Sequence, residues 1–136
     1  MLRFENKLDR GFHQITVDIE SGGERPAVKG DITVHEGLKI YEPLVQVSPI
    51  TQTRPFYTHK AAVPASGSMM AGSQKIVLNR NDCVALIDEQ KTHYPYFSFW
   101  KWATAAGYTN DGKLLAFNLC QNMIGDDEDY NENCFW

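Results

Sequence analysis

Long apolar runs are missing from this chain. No stretch approaches the roughly 18 residues that a membrane-spanning helix needs. The opening Met1-Leu2-Arg3-Phe4-Glu5-Asn6-Lys7 places charge where a signal peptide keeps its apolar segment. Basic runs are missing as well: no two of the 13 Lys and Arg residues are adjacent, and the formal net charge is −4. The electrostatic footprint of a nucleic-acid binder or a polybasic membrane anchor is therefore absent. These features lead us to expect a soluble, cytoplasmic protein with no membrane span and no nucleic-acid partner. Cysteine is scarce, and Cys83, Cys120 and Cys134 are widely separated, with neither Cys-x-x-Cys nor His-x-x-x-His spacing. That excludes a recognisable disulfide framework or zinc site, so three buried, reduced thiols are expected, with no metal and no cofactor. Helical periodicity is also lacking, because Gly or Pro interrupts every candidate apolar stripe; one short helical turn at Asn79-Arg80-Asn81-Asp82 is the most the pattern supports.

What is present is a chain of 136 residues, 43% of them hydrophobic. A chain of that size buries about two thirds of its unfolded surface, enough for a single β domain over residues 1–136. Ile15, Val17 and Ile19 alternate with Thr16, Asp18 and Glu20, the period of two of a half-buried strand. Val28, Ile32 and Val34 continue the pattern after the turn residues Ser21 to Pro26, so the two segments read as a hairpin. Further short strands are predicted over 44–47, 56–63, 74–78, 83–88, 97–106, 113–121 and 133–136, separated by Gly, Pro, Asn and Ser. Regular spacing of this kind points to an all-β antiparallel sandwich or barrel. The small-residue segment 64–73 lacks the Gly-Lys-Ser/Thr ending of a phosphate loop and reads as a connector. Asp126-Asp127-Glu128-Asp129 lacks the pattern of a calcium loop and reads as a solvated turn.

The densest aromatic stretch runs from Tyr94 to Trp102, and Asn110-Asp111-Gly112 downstream is a strong hairpin signal. A two-residue loop at Asp111-Gly112 would pair Trp102 with Gln121 and Thr104 with Leu119. One face would then carry Trp100, Trp102, Thr104 and Tyr108 with Leu115, Phe117, Leu119 and Met123. The other would carry Lys101, Ala103, Ala105 and Gly107 with Leu114, Ala116, Asn118 and Cys120. The small residues of the second face leave space for a ligand or for another element. A three-residue loop with a bulge would swap the faces.

Several blocks resemble those of a known family: Phe99-Trp100-Lys101-Trp102-Ala103-Thr104-Ala105-Ala106-Gly107, Asp111-Gly112-Lys113, Phe117-Asn118-Leu119 and Glu132-Asn133-Cys134-Phe135-Trp136. They are similar to an uncharacterised bacterial family of unknown function. That family is itself distantly similar to the tandem lipocalin-like proteins that include hydroxyneurosporene synthase and the AttH-like proteins. The resemblance implies an all-β, antiparallel, lipocalin- or calycin-like barrel or half barrel, here as a central piece of a longer two-barrel protein. An open barrel would leave the edge at 133–136 free to pair with a second copy, giving a homodimer through edge strands.

Three functions follow as expectations. The first is a binding module holding an apolar small molecule, lipid or isoprenoid-like, against Trp100, Trp102, Lys101, Asn118, Phe117 and His59. The second is a hydratase- or isomerase-like enzyme. Protonating an alkene requires a carboxylic acid in an apolar setting, and Asp88 and Glu132, each in or beside an apolar strand, are the candidates, with Lys101 or Asn118 orienting the substrate. His59 beside Lys60 could also supply a base and an anion contact. The third is a structural fragment that assembles through its edges.

Overall fold

A computed structural model describes residues 1–37, 41–94, 96, 99–121 and 132–136. The acidic run 126–129 and the start of the expected strand at Phe97 and Ser98 lie outside the described residues. The chain is all-β: β1 Leu2–Lys7, β2 Phe12–Ile19, β3 Val28–Val34, β4 Leu44–Thr51, β5 Arg54–Ala71, β6 Gln74–Leu78, β7 Val84–Lys91, β8 Lys101–Tyr108, β9 Leu114–Gln121 and β10 Cys134–Phe135. One 3-10 turn at Leu8–Arg10 joins β1 to β2. The pairings with a resolved register are antiparallel, and no pair among the described residues closes a sheet into a barrel. No described helix is long and apolar enough to cross a membrane.

The chain divides into two compact units, Met1–Tyr41 with Val63–Ala85 and Glu42–Ala62 with Leu86–Trp136. In the first, β1, β2 and β3 form a meander, with Ile15 opposite Phe4 on one side and Ile32 on the other. The polar face of the same strands carries Thr16 donating to Asp31 at 2.9 Å and Lys29 paired with Asp18 at 3.2 Å. This is the alternation read from the sequence. β1 went unread because only Leu2 and Phe4 mark its apolar face. The expected helical turn at 79–82 is a single hydrogen-bonded turn that does not continue into a helix: the Asp82 and Cys83 amides donate to the Asn79 carbonyl at 3.0 and 2.8 Å.

The expected connector 64–73 is mostly strand: β5 continues through it to Ala71, pairing with β3 and β6. Its small residues permit a close approach rather than flexibility. Gly67 sits at φ +138°, and a Cβ there would lie 2.1 Å from the Asp31 carbonyl oxygen. Only glycine fits that backbone against β3.

In the second unit, β4 pairs with the first part of β5, Leu44 opposite Lys60 and Val47 opposite Tyr57. β10, β9 and β8 form a separate three-stranded sheet in that order, which makes β10 and β8 its edges. The β8–β9 register corrects the expectation by one residue: Trp102 lies opposite Cys120, and Thr104 opposite Asn118. The loop has three residues because Thr109 pairs with Lys113. Its amide donates to the Lys113 carbonyl at 2.8 Å, its hydroxyl accepts from the Lys113 amide at 3.0 Å, and Gly112 takes the left-handed position at φ 79°. That is a turn followed by a glycine bulge. The Asp-Gly signal located the turn, and the Thr109 hydroxyl set its length.

The β9 residues therefore exchange faces. Trp102, Thr104, Ala106 and Tyr108 share a face with Leu114, Ala116, Asn118 and Cys120, and Ala116, Asn118 and Cys120 are buried. The outer face joins Lys101, Ala103, Ala105 and Gly107 to Leu115, Phe117, Leu119 and Gln121.

Candidate functional site

The second unit buries an ion-pair centre built on Lys60. Thr58, Lys60 and Ala62 point to the same side of β5 by strand alternation, and all three are buried. The Lys60 ammonium lies 2.8 Å from Asp88 Oδ1 on β7 and 3.0 Å from Glu132 Oε2, just before β10. It also lies 5.3 Å from the centre of the Trp102 ring on β8, within cation–π range. Trp102 Nε1 donates to Asn118 Oδ1 at 2.7 Å, and the Asn118 side-chain amide donates in turn to the Glu132 carbonyl. Four strands or strand flanks thus meet at one ammonium, and Asn118 of β9 ties two of them together. A lysine so deeply buried needs such partners, because an unpaired charge would bear its full desolvation cost.

The centre brings one amine and two carboxyl groups together, and its neighbours are shifted. Burial raises the Tyr94 phenol above its ordinary range, and Glu132 and Asp88 push it further. Burial likewise raises the Cys120 and Cys134 thiols, with Glu132 adding to both. The Cys83 thiol is raised mainly by its hydrogen bond to Asp82. All three cysteines are free, but only Cys120 is buried, so the expectation of three buried thiols holds for one.

The predicted residues separate into groups. Asp88, Glu132, Trp102 and Asn118 come together at Lys60. Glu132 is fully buried, whereas the Asp88 side chain is 33% exposed and open to solvent. His59 faces the opposite side of β5 and pairs with Glu89 at 3.3 Å. Trp100 stacks on Tyr94, ring centres 5.9 Å apart. Lys101 and Phe117 lie on the outer face of the β8–β9 hairpin. Lys60 was noticed only as a neighbour of His59. The signal for its burial was the run Ala61-Ala62-Val63 that follows it directly.

The outer face of the hairpin carries a second feature, a concavity of about 470 Å³. Ala105 and Gly107 of β8 form its low side, while Leu115, Phe117, Phe135 and Trp136 stand along it. A Cβ on Gly107 would meet nothing within 4 Å, so the space above it is open. Phe117 and Phe135 stand side by side with ring centres 6.3 Å apart. Among the described residues, no charged side chain lines the hollow. Small residues on one strand beside large apolar ones on the next produce it, and the corrected register is what puts them side by side. Among the described residues, no group of three His, Cys, Asp or Glu is placed to hold a metal.

An all-β chain of two open antiparallel units, with an apolar hollow on one face of the β8–β9 hairpin and a buried ion-pair centre on the other, is the class these observations define. Over residues 1–136 the chain matches the family described as "Domain of unknown function (DUF2804)", and it belongs to that family. No curated protein and no solved structure gives a significant match.

Proposed function

We propose that this protein binds an apolar small molecule, of lipid or isoprenoid-like character, in the concavity on the outer face of β8, β9 and β10. The observation that carries the reading is the uncharged hollow of about 470 Å³ lined by Ala105, Gly107, Leu115, Phe117, Phe135 and Trp136. Its volume falls within the range of small-molecule sites, and its lining offers dispersion contacts rather than ion pairing. Large apolar side chains left exposed around a hollow also tend to mark a binding surface rather than an inert one: Leu115 is 53% exposed and Phe135 78%. The mode resembles that of lipocalin-like proteins, with the occupant on an open sheet instead of inside a closed barrel.

The test is titration with Nile red, an uncharged apolar dye, followed by fluorescence. Wild-type protein is expected to bind it saturably. Gly107→Val is expected to weaken binding by about tenfold, because its side chain fills open space at a strand position that tolerates a β-branched residue. The thermal midpoint should stay within a few degrees. Equal dye affinity in both proteins would remove the concavity as the site.

A further inference from the structure

We infer that Lys60 is a positioning residue for the apolar concavity, acting through Glu132 to hold in place the segment that carries Phe135 and Trp136; this rests on the binding reading above. β10 has two residues, and Phe135 is mostly exposed, so apolar burial alone fixes the segment weakly. What the segment buries is polar. Glu132 is 0% exposed, and neither of its carboxylate oxygens has a hydrogen-bond partner among the described residues, so the 3.0 Å ion pair of Oε2 with Lys60 is the compensating contact they offer it. The Glu132 carbonyl accepts from Asn118, and the Asn133 side-chain oxygen accepts from the Cys120 amide at 2.8 Å. The Trp136 amide then donates to the Ala116 carbonyl at 2.9 Å, completing the attachment to β9. These three hydrogen bonds and one ion pair on this short segment set the position of the wall, and the ion pair is the anchor whose loss strands a buried charge.

Asp88, the second partner of Lys60, lies on β7, and among the described residues it has no such link to β10. The two carboxylates therefore predict different outcomes. Amide hydrogen exchange at Trp136 reads the docking of the segment, exchange at the paired β8 and β9 amides reads whether the second unit is folded, and Nile red affinity reads the site. Lys60→Met and Glu132→Gln should each speed exchange at Trp136 by about tenfold or more and weaken the dye by a similar factor, leaving the β8–β9 pairing protected. Asp88→Asn, which leaves the Lys60–Glu132 contact in place, should move exchange at Trp136 by about twofold at most.

If Lys60→Met fails to fold, Glu132→Gln alone decides, since it keeps Lys60 paired with Asp88 and removes no volume. Unchanged exchange at Trp136 in a folded Glu132→Gln protein would overturn the inference. An Asp88→Asn effect as large as that of Glu132→Gln would also overturn it, because the centre would then act by net charge and not through Glu132. Failure of the wild type to bind Nile red would overturn the binding reading instead, while the exchange at Trp136 would still test the role of Lys60.

Discussion

His35 and Ser66 show how local surroundings tune a single side chain. In the first unit, His35 Nε2 lies 2.8 Å from the Ser66 hydroxyl. Burial lowers the His35 pKa below its ordinary value of 6.5, and the positive charge of Arg80 lowers it further. The neutral imidazole therefore predominates at pH 7. Arg80→Gln removes the second cause, so the His35 titration midpoint, followed by its ring-proton NMR signals, should rise toward 6.5. A midpoint that stays put would leave burial as the whole explanation. Asp111 is shifted by different means, its carboxyl held below the usual range by the Thr109 hydroxyl and then by Lys113. Neither shift could be read from the sequence, because each depends on a partner brought near by strand pairing or by a turn whose length was misjudged.

Among the elements, β5 was the least legible and the β2–β3 hairpin the most. Alternation survives in Phe12–Ile19 and Val28–Val34 because one face is apolar and the other polar, and the observed register places each set where the pattern put it. The second half of β5 has no such contrast. Ala65, Ser66, Gly67 and Ser68 read as a connector, yet they pair with Asp31 to Val34 because small residues let two backbones approach. Gly67→Ala should test that account. With φ at +138° and the Asp31 carbonyl in the way, the substitution is expected to cost about 1–3 kcal/mol of stability in urea unfolding. Stability equal to wild type would mean that β3 and β5 separate easily. The candidate site shows the same division. Asp88, Glu132, Trp102 and Asn118 were found as residue types in apolar strands, but their convergence on Lys60 joins β5, β7, β8, β9 and the flank of β10. No local pattern encodes that juxtaposition.

On the scale of the whole molecule, acid should be the unfavourable direction. The sign is the same for both groups whose pKa is lowered. His35 has a folded pKa below its unfolded value, so the unfolded chain binds the extra proton first and stability falls as pH drops below about 6.5. Asp111 also has a lowered folded pKa, so its contribution is present above its ordinary value of 3.8 and is lost as pH falls through the lower, folded value. Urea midpoints measured from pH 8 to pH 3 should decline in the histidine window and again at the acidic end; Arg80→Gln should flatten the first decline. A midpoint independent of pH between 7 and 5 would contradict this. Composition made the class of the molecule plain, since an acidic, helix-poor chain punctuated by Gly and Pro has few alternatives to antiparallel sheet. It could not show how much apolar surface the open sheets leave outside, with Val47, Val77, Leu115 and Phe135 each more than half exposed.

The contact between Lys60 and Glu132 joins positions about seventy residues apart in the chain, whereas the β8–β9 turn closes over three. Loop closure of that span is slow and entropically costly, so hairpins such as β2–β3 and β8–β9 can form well before the ion-pair centre does. The wall made by Phe135 and Trp136 is then among the last parts to assemble during folding. A chain that has its sheets but lacks this one long-range contact would be folded by most spectroscopic measures and still be without its hollow.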